Sequence, residues 1–453
     1  MPSYVRSLID WRPRTPFYYG WLILGVSFVA AFSASSVSQV VLGGVQIFIT
    51  DDTGWSKSSI SFAVSLGTWC SGLVAPLAGR IADRHGPRWL MPVALVIVGT
   101  ALVSLWGVHS IVHFYVAYII SRAVSNPIII GIVPRTTAVN FFRRRRNIAL
   151  ALTSMARPVS GAINIQLISI IASRHGWRAA YGYLGIMSFL MVIPIAVIMR
   201  RRPEDIGMLP DGARPETVSA RLSTDVGGGS RGEPDPFSTP EFSWTVSEAV
   251  HTRAFWFIAS TAVLGTAASS GVGFSLVPYL YEEAGISRAQ AVGVLSFGTV
   301  LAVANLGWGY LADLISPRRC LVFIMLVTAG LILYLLLVGS VLTAFIFALL
   351  WGVFSGSVGT LEHMVLAQYY GRGSYGSILG VMSPMQTAAL GLGPSLGAVF
   401  KDVTGNYSSL FITLFCTYLL AAGLIFLARQ PRLPPRVTPE VAEDQPQSTV
   451  TGS

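Results

Sequence analysis

The chain has 453 residues and a net charge of +10, with 53% hydrophobic and only 11% charged residues. Soluble domains carry roughly 25% charged residues, so a water-soluble globular fold of this length is excluded. Basic excess alone would suggest a nucleic-acid partner, but its placement along the chain argues for membrane topology and against nucleic acid.

Apolar runs long enough for about 20 helical residues to cross a bilayer are read as spans. Twelve begin near Tyr18, Ser58, Trp89, Phe114, Asn147, Arg178, Ala254, Ala289, Leu321, Val341, Tyr375 and Tyr407. Residues 1–17 form a cytoplasmic N-terminal segment. The run after Arg14 is too long for a signal-peptide core and is expected to stay as span 1. The expected fold class is all-α, a polytopic membrane protein of twelve transmembrane helices in two six-helix pseudo-repeats.

Between spans 2 and 3 stands GRIADRHGPR, Gly79 to Arg88. The arrangement returns in GYLADLISPRR, where Gly309, Asp313, Pro317 and Arg318 repeat Gly79, Asp83, Pro87 and Arg88 at a displacement of 230. SLGT at Ser65 recurs as SFGT at Ser296, displaced by 231, and HGWRAAY near Gly176 corresponds to TGNYSSL near Gly405, displaced by 229. So constant an offset implies two homologous halves, residues 18–200 and 251–429, as in transporters built from parallel repeats. Residues 201–250, rich in Pro, Gly, Ser and charge, read as a cytoplasmic linker. Its end, FSWTVSEAVHTRAFWF, is expected to lie along the membrane surface. Residues 430–453 read as a disordered cytoplasmic tail.

With the N-terminus cytoplasmic, 24 of the 31 Lys and Arg residues fall on that side. Five, Lys57, Arg174, Arg178, Arg288 and Lys401, fall opposite, and Arg122 and Arg157 lie inside spans. This is the positive-inside bias that orients membrane proteins, and it predicts a plasma (inner) membrane protein with both termini cytoplasmic. The run FFRRRRN is suited to anionic lipid headgroups.

Buried ionisable groups are costly in a bilayer, about 2.5–3.5 kcal/mol for arginine on insertion scales, and each asks for a function. Arg122 lies nine residues into span 4 from His113, roughly 13 Å, and Arg157 eleven residues into span 5, roughly 16 Å, both near mid-membrane. Two guanidinium groups at one depth suggest a cavity for an anion, because their planar fork binds both carboxylate oxygens. Asn126 shares the face of Arg122, and Gln386 in span 11 is the candidate from the second half. Pro158 beside Arg157 frees a backbone carbonyl that either arginine would satisfy. Arg122 is read either as a helix brace or as a substrate contact. Glu362 and His363 lie about 9 Å inside the end of span 10; Glu362 is expected to pair with Arg318, Arg319 or Arg372 at a gate, or to carry a coupling proton with His363. Arg135, roughly 33 Å down span 4, is expected to reach the interface.

The three cysteines lack CxxC spacing and the six histidines include no HExxH, so neither a metal site nor a cofactor is expected. No phosphate-binding GxxxxGK[ST] loop occurs, which disfavours ATP-driven transport, and no serine or cysteine has an evident base partner. An enzyme is not expected.

The sequence resembles the major facilitator superfamily, through the repeated G-x-x-x-D-R-x-G-x-R loop, the twelve spans and the central cytoplasmic loop. Within it, YYGW at Tyr18, GWSKSSIS at Gly54, FFRRRRNIAL at Phe141, GWRAAY at Gly176, YYGRGSYGSILG at Tyr369 and GPSLG at Gly393 resemble bacterial relatives of monocarboxylate transporters and oxalate/formate antiporters. The resemblance implies that Gly79, Asp83, Arg84 and Arg88, and in weaker form Gly309, Asp313 and Arg318, latch the cytoplasmic side closed. Asp83 would accept hydrogen bonds from a helix N-terminus, and Gly79 would let span 2 approach a neighbour. It also marks Arg157 as particular to this chain, since those families more often have a small residue there. Span 8 lacks the basic residue typical of them. Either Arg122 and Arg157 have taken over the anion's charge, or the substrate is not a simple carboxylate.

The function expected is a secondary active transporter of a small organic anion, moved by proton symport or anion exchange. The alternatives are efflux of an uncharged or amphipathic compound, and a substrate sensor that moves no cargo.

Overall fold

The computed structural model describes residues 16–35, 39–212, 242 and 244–432, all helix and connecting loop. The expectations for residues 1–15, for most of the linker and for the tail beyond 432 lie outside the described residues. Twelve spans follow one another. In the first half α1 comprises Tyr19–Ala34 and Gln39–Thr53, then come α2 (Lys57–His85), α3 (Pro87–Ser104), α4 (Ile111–Phe141), α5 (Arg146–His175) and α6 (Trp177–Ile198). The second half has α7 (Arg253–Glu282), α8 (Arg288–Val300, running through a tight turn into Asn305–Leu314), α9 (Pro317–Leu335), α10 (Val341–Tyr370), α11 (Tyr375–Thr404) and α12 (Ser408–Leu427). Among the described residues, nine of these helices are long and apolar enough to cross a membrane; α1, α8 and α11 complete the set.

Local chemistry sets the helix ends. Ser56 accepts the Ser59 N–H at the start of α2, and Pro87 and Pro317 occupy first turns where a missing N–H costs nothing. Gly86 and Gly176 adopt φ +78° and +83° at the tight joints α2–α3 and α5–α6, a conformation open to glycine. Within FSWTVSEAVHTRAFWF only Val246–Val250 is a separate helix, closed by a Thr245–Glu248 capping box; from Arg253 onward the chain is already α7. Trp244 is buried there, edge-on to Tyr370.

The outer surface is apolar. Leu73, Leu337 and Val403 are exposed by 78%, 79% and 79%, which is unsustainable in water and natural in lipid, where helices satisfy their own backbone.

Each half is tied internally by the same bonds. Arg88 at the start of α3 donates to the Ala196 carbonyl of α6, and Arg318 at the start of α9 donates to the Ile425 carbonyl of α12. At the opposite end Asp52 takes the Trp177 indole N–H and the Arg178 guanidinium, while Glu283 takes the Tyr407 N–H. These pairs occupy repeat-related positions and do not cross between halves.

Candidate functional site: a closed gate and intramembrane arginines

The two halves meet at the arginine-rich end. Asp83, in the last turn of α2, accepts the N–H groups of Gly376 and Ser377 at 3.1 and 2.7 Å. Both donors belong to the first turn of α11, where unsatisfied N–H groups and the helix dipole favour a carboxylate. Contact this close requires glycine: a Cβ on Gly79 would stand 2.1 Å from the Gly376 carbonyl oxygen, and one on Gly380 would stand 2.8 Å from that of Ala75.

The second copy of the loop engages α5. Asp313 accepts the Asn147 side-chain N–H at 2.7 Å, and a Cβ on Gly309 would lie 2.8 Å from that of Ala151. One side-chain donor here stands against two backbone donors at Asp83.

The described bonds of the arginines in the two loops stay within their own halves. Arg88 and Arg318 are committed within their own halves as described, with Arg318 also reaching the Phe426 carbonyl. Arg84 is exposed and makes no hydrogen bond or ion pair among the described residues. Charged contacts across the boundary come from elsewhere, and sequence reasoning missed them. Glu204, just beyond α6, pairs with Arg372 at 2.7 Å, and Arg146 donates to the Ala367 carbonyl of α10 at 3.1 Å. Asp211 meanwhile gathers the N–H groups of Arg143 and Arg144 at 2.9 and 2.6 Å, holding the FFRRRRN turn.

Deeper in, Arg122 is buried at 3% exposure and its Nε donates to Thr68 Oγ1 at 2.9 Å. Its aliphatic stem lies against Gly67. Asn126 donates to Ser71 Oγ at 3.0 Å. Both residues therefore tie α4 to α2. The repeat supports a bracing role: displaced by 230 from Arg122 is Gly352, which packs so closely on Gly298 that a Cβ would lie 2.2 Å from its carbonyl. The first half uses an arginine and a hydroxyl where the second uses backbone contact.

Arg157 is different. Its side chain is exposed although the residue lies deep along its helix, eleven residues from the start of α5. It makes no hydrogen bond or ion pair among the described residues, and the charges of Arg122 and Arg135 both act on it. Its repeat-related residue, displaced by 229, is Gln386 on α11. Gln386 is half-buried and donates to Glu362 Oε2 at 3.4 Å.

Glu362 itself is buried at 3% exposure, and its Oε1 has no hydrogen-bond partner. It does not reach Arg318, Arg319 or Arg372: the first is bound to α12 and the last to Glu204, so the expected gate ion pair is replaced by the bond from Gln386. His363 is buried, with its backbone carbonyl accepting from Tyr375 at 3.4 Å.

Arg135 is half-buried. Its Nε is buried without a partner among the described residues, and its charge acts on Arg157 and on His363 of the opposite half. Span 4 is not a uniform α-helix, because Ser125–Gly131 forms a π-helical segment that alters the register between Arg122 and Arg135. Among the described residues no group of three metal-binding side chains occurs.

Two pseudo-symmetric six-helix bundles, closed on each other at one end, define a multi-pass membrane carrier. The Major Facilitator Superfamily profile matches residues 23–304 and 258–451, and the chain belongs to that family. It is a non-enzymatic transporter by class. An uncharacterized MFS-type transporter, YcxA of Bacillus subtilis, is 25% identical over 89% of this chain and 93% of its own length. Monocarboxylate transporter 11 of Mus musculus is 25% identical over 92% of this chain and 88% of its own. Among solved structures, the human organic anion transporter MFSD10 superposes with TM-score 0.66 at 15% identity, covering 91% of this chain and all of that one. The proton:xylose symporter XylE gives 0.66 at 13%, covering 91% and 96%.

Proposed function

We propose that this chain carries a small organic anion across the plasma (inner) membrane by alternating access, with both termini cytoplasmic. The observation that carries this is Arg157, an accessible guanidinium without a partner among the described residues, near the middle of its helix. An unpaired cation in such a place is costly to bury, and a carboxylate on the substrate would pair with it bidentately. The excess of arginine at the closed end makes that end cytoplasmic, so the cavity of this state is reached from outside. The likeness to monocarboxylate transporters supports the substrate class.

Glu362 favours proton symport over exchange. A carboxylate with one unbonded oxygen is poorly accommodated in an apolar bundle, whereas the neutral acid needs far less. Its bond to Gln386, the repeat-related counterpart of Arg157, links its protonation to the substrate site.

Uptake of radiolabelled small carboxylates into proteoliposomes, with and without an inward pH gradient, tests the reading. Arg157→Gln should abolish uptake while the protein elutes as a folded monodisperse peak. Undiminished uptake by that variant would overturn the assignment of Arg157, and acceleration by counter-substrate without any effect of the gradient would overturn proton symport.

A further inference from the structure

We propose that the arginine-rich end of the molecule binds a phosphate group in a cavity between the two halves, and that the bound group holds this end closed. The site is separate from Arg157 and does not depend on the reading of that residue.

A cavity of about 270 Å³ lies between the start of α5, the joint from α8 to α9 and the last turn of α10. One water needs about 10–15 Å³ and small-molecule sites begin near roughly 300 Å³, so the space suits a compact group with little attached to it. Six of the nine residues around it are polar or charged, which disfavours an apolar occupant. The first half contributes Arg143, Arg146 and Asn147, and the second contributes Asp313, Ser316 and Gln368.

Two guanidinium groups against one carboxylate leave this lining cationic. Asp313 is turned to Asn147, whose side-chain N–H it accepts at 2.7 Å, and it forms no ion pair among the described residues. Arg146 Nε and Nη1 donate to the Phe142 and Ala367 carbonyls at 3.4 and 3.1 Å. Both acceptors are neutral, so these bonds orient the guanidinium and leave its charge in place. Neighbouring charge acts in the same sense: Arg144 and Arg145 continue the turn, and Arg318 and Arg319 follow Pro317. Asp211, the acid on that turn, is engaged with the backbone N–H groups of Arg143 and Arg144. Pro317 also opens the 19-residue α9, whose dipole favours an anion at this wall.

A phosphate monoester carries about −1.5 to −2 charge and three acceptor oxygens. That matches paired guanidinium groups flanked by amide and hydroxyl side chains, whereas a carboxylate, with two oxygens in one plane, would engage a single fork. Because the walls come from both halves, opening this end dismantles the site. A ligand that binds the closed form alone shifts the equilibrium toward it. The group can reach the site on a soluble phosphate compound or as the headgroup of an anionic lipid; the recognition chemistry is the same.

The test uses the purified full chain in maltoside detergent, with inorganic phosphate as the probe and sodium chloride at equal ionic strength as the reference. Phosphate should raise the melting temperature saturably and slow thiol labelling of Ser377→Cys by at least about threefold. Arg143→Gln should weaken the response roughly 10- to 100-fold, the worth of one charged contact, and Arg143→Lys should restore much of it. Arg157→Gln should respond to phosphate as the unmodified protein does. If only micelles doped with phosphatidylglycerol, and not with phosphatidylcholine, give the same Arg143-dependent effects, the occupant is a lipid headgroup and the site stands. No response to either probe, an effect reproduced by sodium chloride, or an undiminished response in Arg143→Gln would overturn the inference. So would an equal loss in Arg157→Gln, which would place phosphate at the central site; none of these outcomes bears on carboxylate transport.

Discussion

Asp83 on α2 and Ser377 on α11 meet at 2.7 Å, carboxylate to backbone N–H, across the boundary between the two halves. With the Gly376 N–H at 3.1 Å, the same side chain satisfies two of the first-turn donors of α11. Such bonds exist only while the halves are closed at this end, so they weigh on the conformational equilibrium and leave the stability of each half untouched. Hydrogen bonds to a charged group contribute about 1.5–3 kcal/mol each. Asp83→Ala should therefore shift the population away from the closed state by at least about tenfold. Accessibility of a cysteine placed at Ser377 to a membrane-impermeant thiol reagent, added at the arginine-rich side, measures this; an unchanged labelling rate would show that the contact carries no conformational weight.

Gly79 gives a sharper steric test. Because its Cβ would fall 2.1 Å from the Gly376 carbonyl, and backbone has little freedom to retreat, Gly79→Leu should prevent closure and abolish net transport. The packing inside the first half is not involved, so thermal stability should fall little. Gly25, whose Cβ would meet nothing within 4 Å, is the control, and Gly25→Leu should transport normally. Equal activity in the two variants would contradict the tight α2–α11 approach.

The joint before α9 is strained where its counterpart is not. Gly86 adopts φ +78° ahead of Pro87, while the repeat-related residue, Ser316, adopts φ +155° ahead of Pro317. Backbone in this region costs a side-chain-bearing residue about 1–3 kcal/mol, partly offset by the 0.5–1 kcal/mol or so of added chain entropy that glycine loses on folding. Ser316→Gly should therefore stabilise the protein by about 1 kcal/mol, seen as a rise in the melting temperature in detergent. The reverse change, Gly86→Ser, should destabilise more strongly, since its Cβ would also strike Arg201 at 2.6 Å. A fall in melting temperature for Ser316→Gly would show that the serine side chain compensates its own strain.

Much of this architecture is legible in the chain. Span positions follow from apolar length, because a bilayer imposes one thickness on every helix. The duplication follows from the constant offset, and Gly79 with Asp83 could be assigned to a close contact and a cap because glycine and a short acid at a helix end have few other uses. The π-helical segment at Ser125–Gly131 was not legible, because nothing local announces it. Nor was the partner of Arg372, since Glu204 lies at the start of the linker, far from Arg372 along the chain.

Composition and periodicity alone are enough to make this chain a twelve-span, two-fold repeated membrane protein, because burial in lipid is a property each segment meets by itself. Which arginines are spoken for and which stand open is a different kind of fact. Arg122 finds Thr68 on a neighbouring helix, Arg88 and Arg318 find carbonyls at the far ends of their own halves, and Arg157 finds no partner among the described residues. Those outcomes depend on which side chains the packed bundles bring within about 3 Å of each other, a condition that no spacing along one strand of sequence can express.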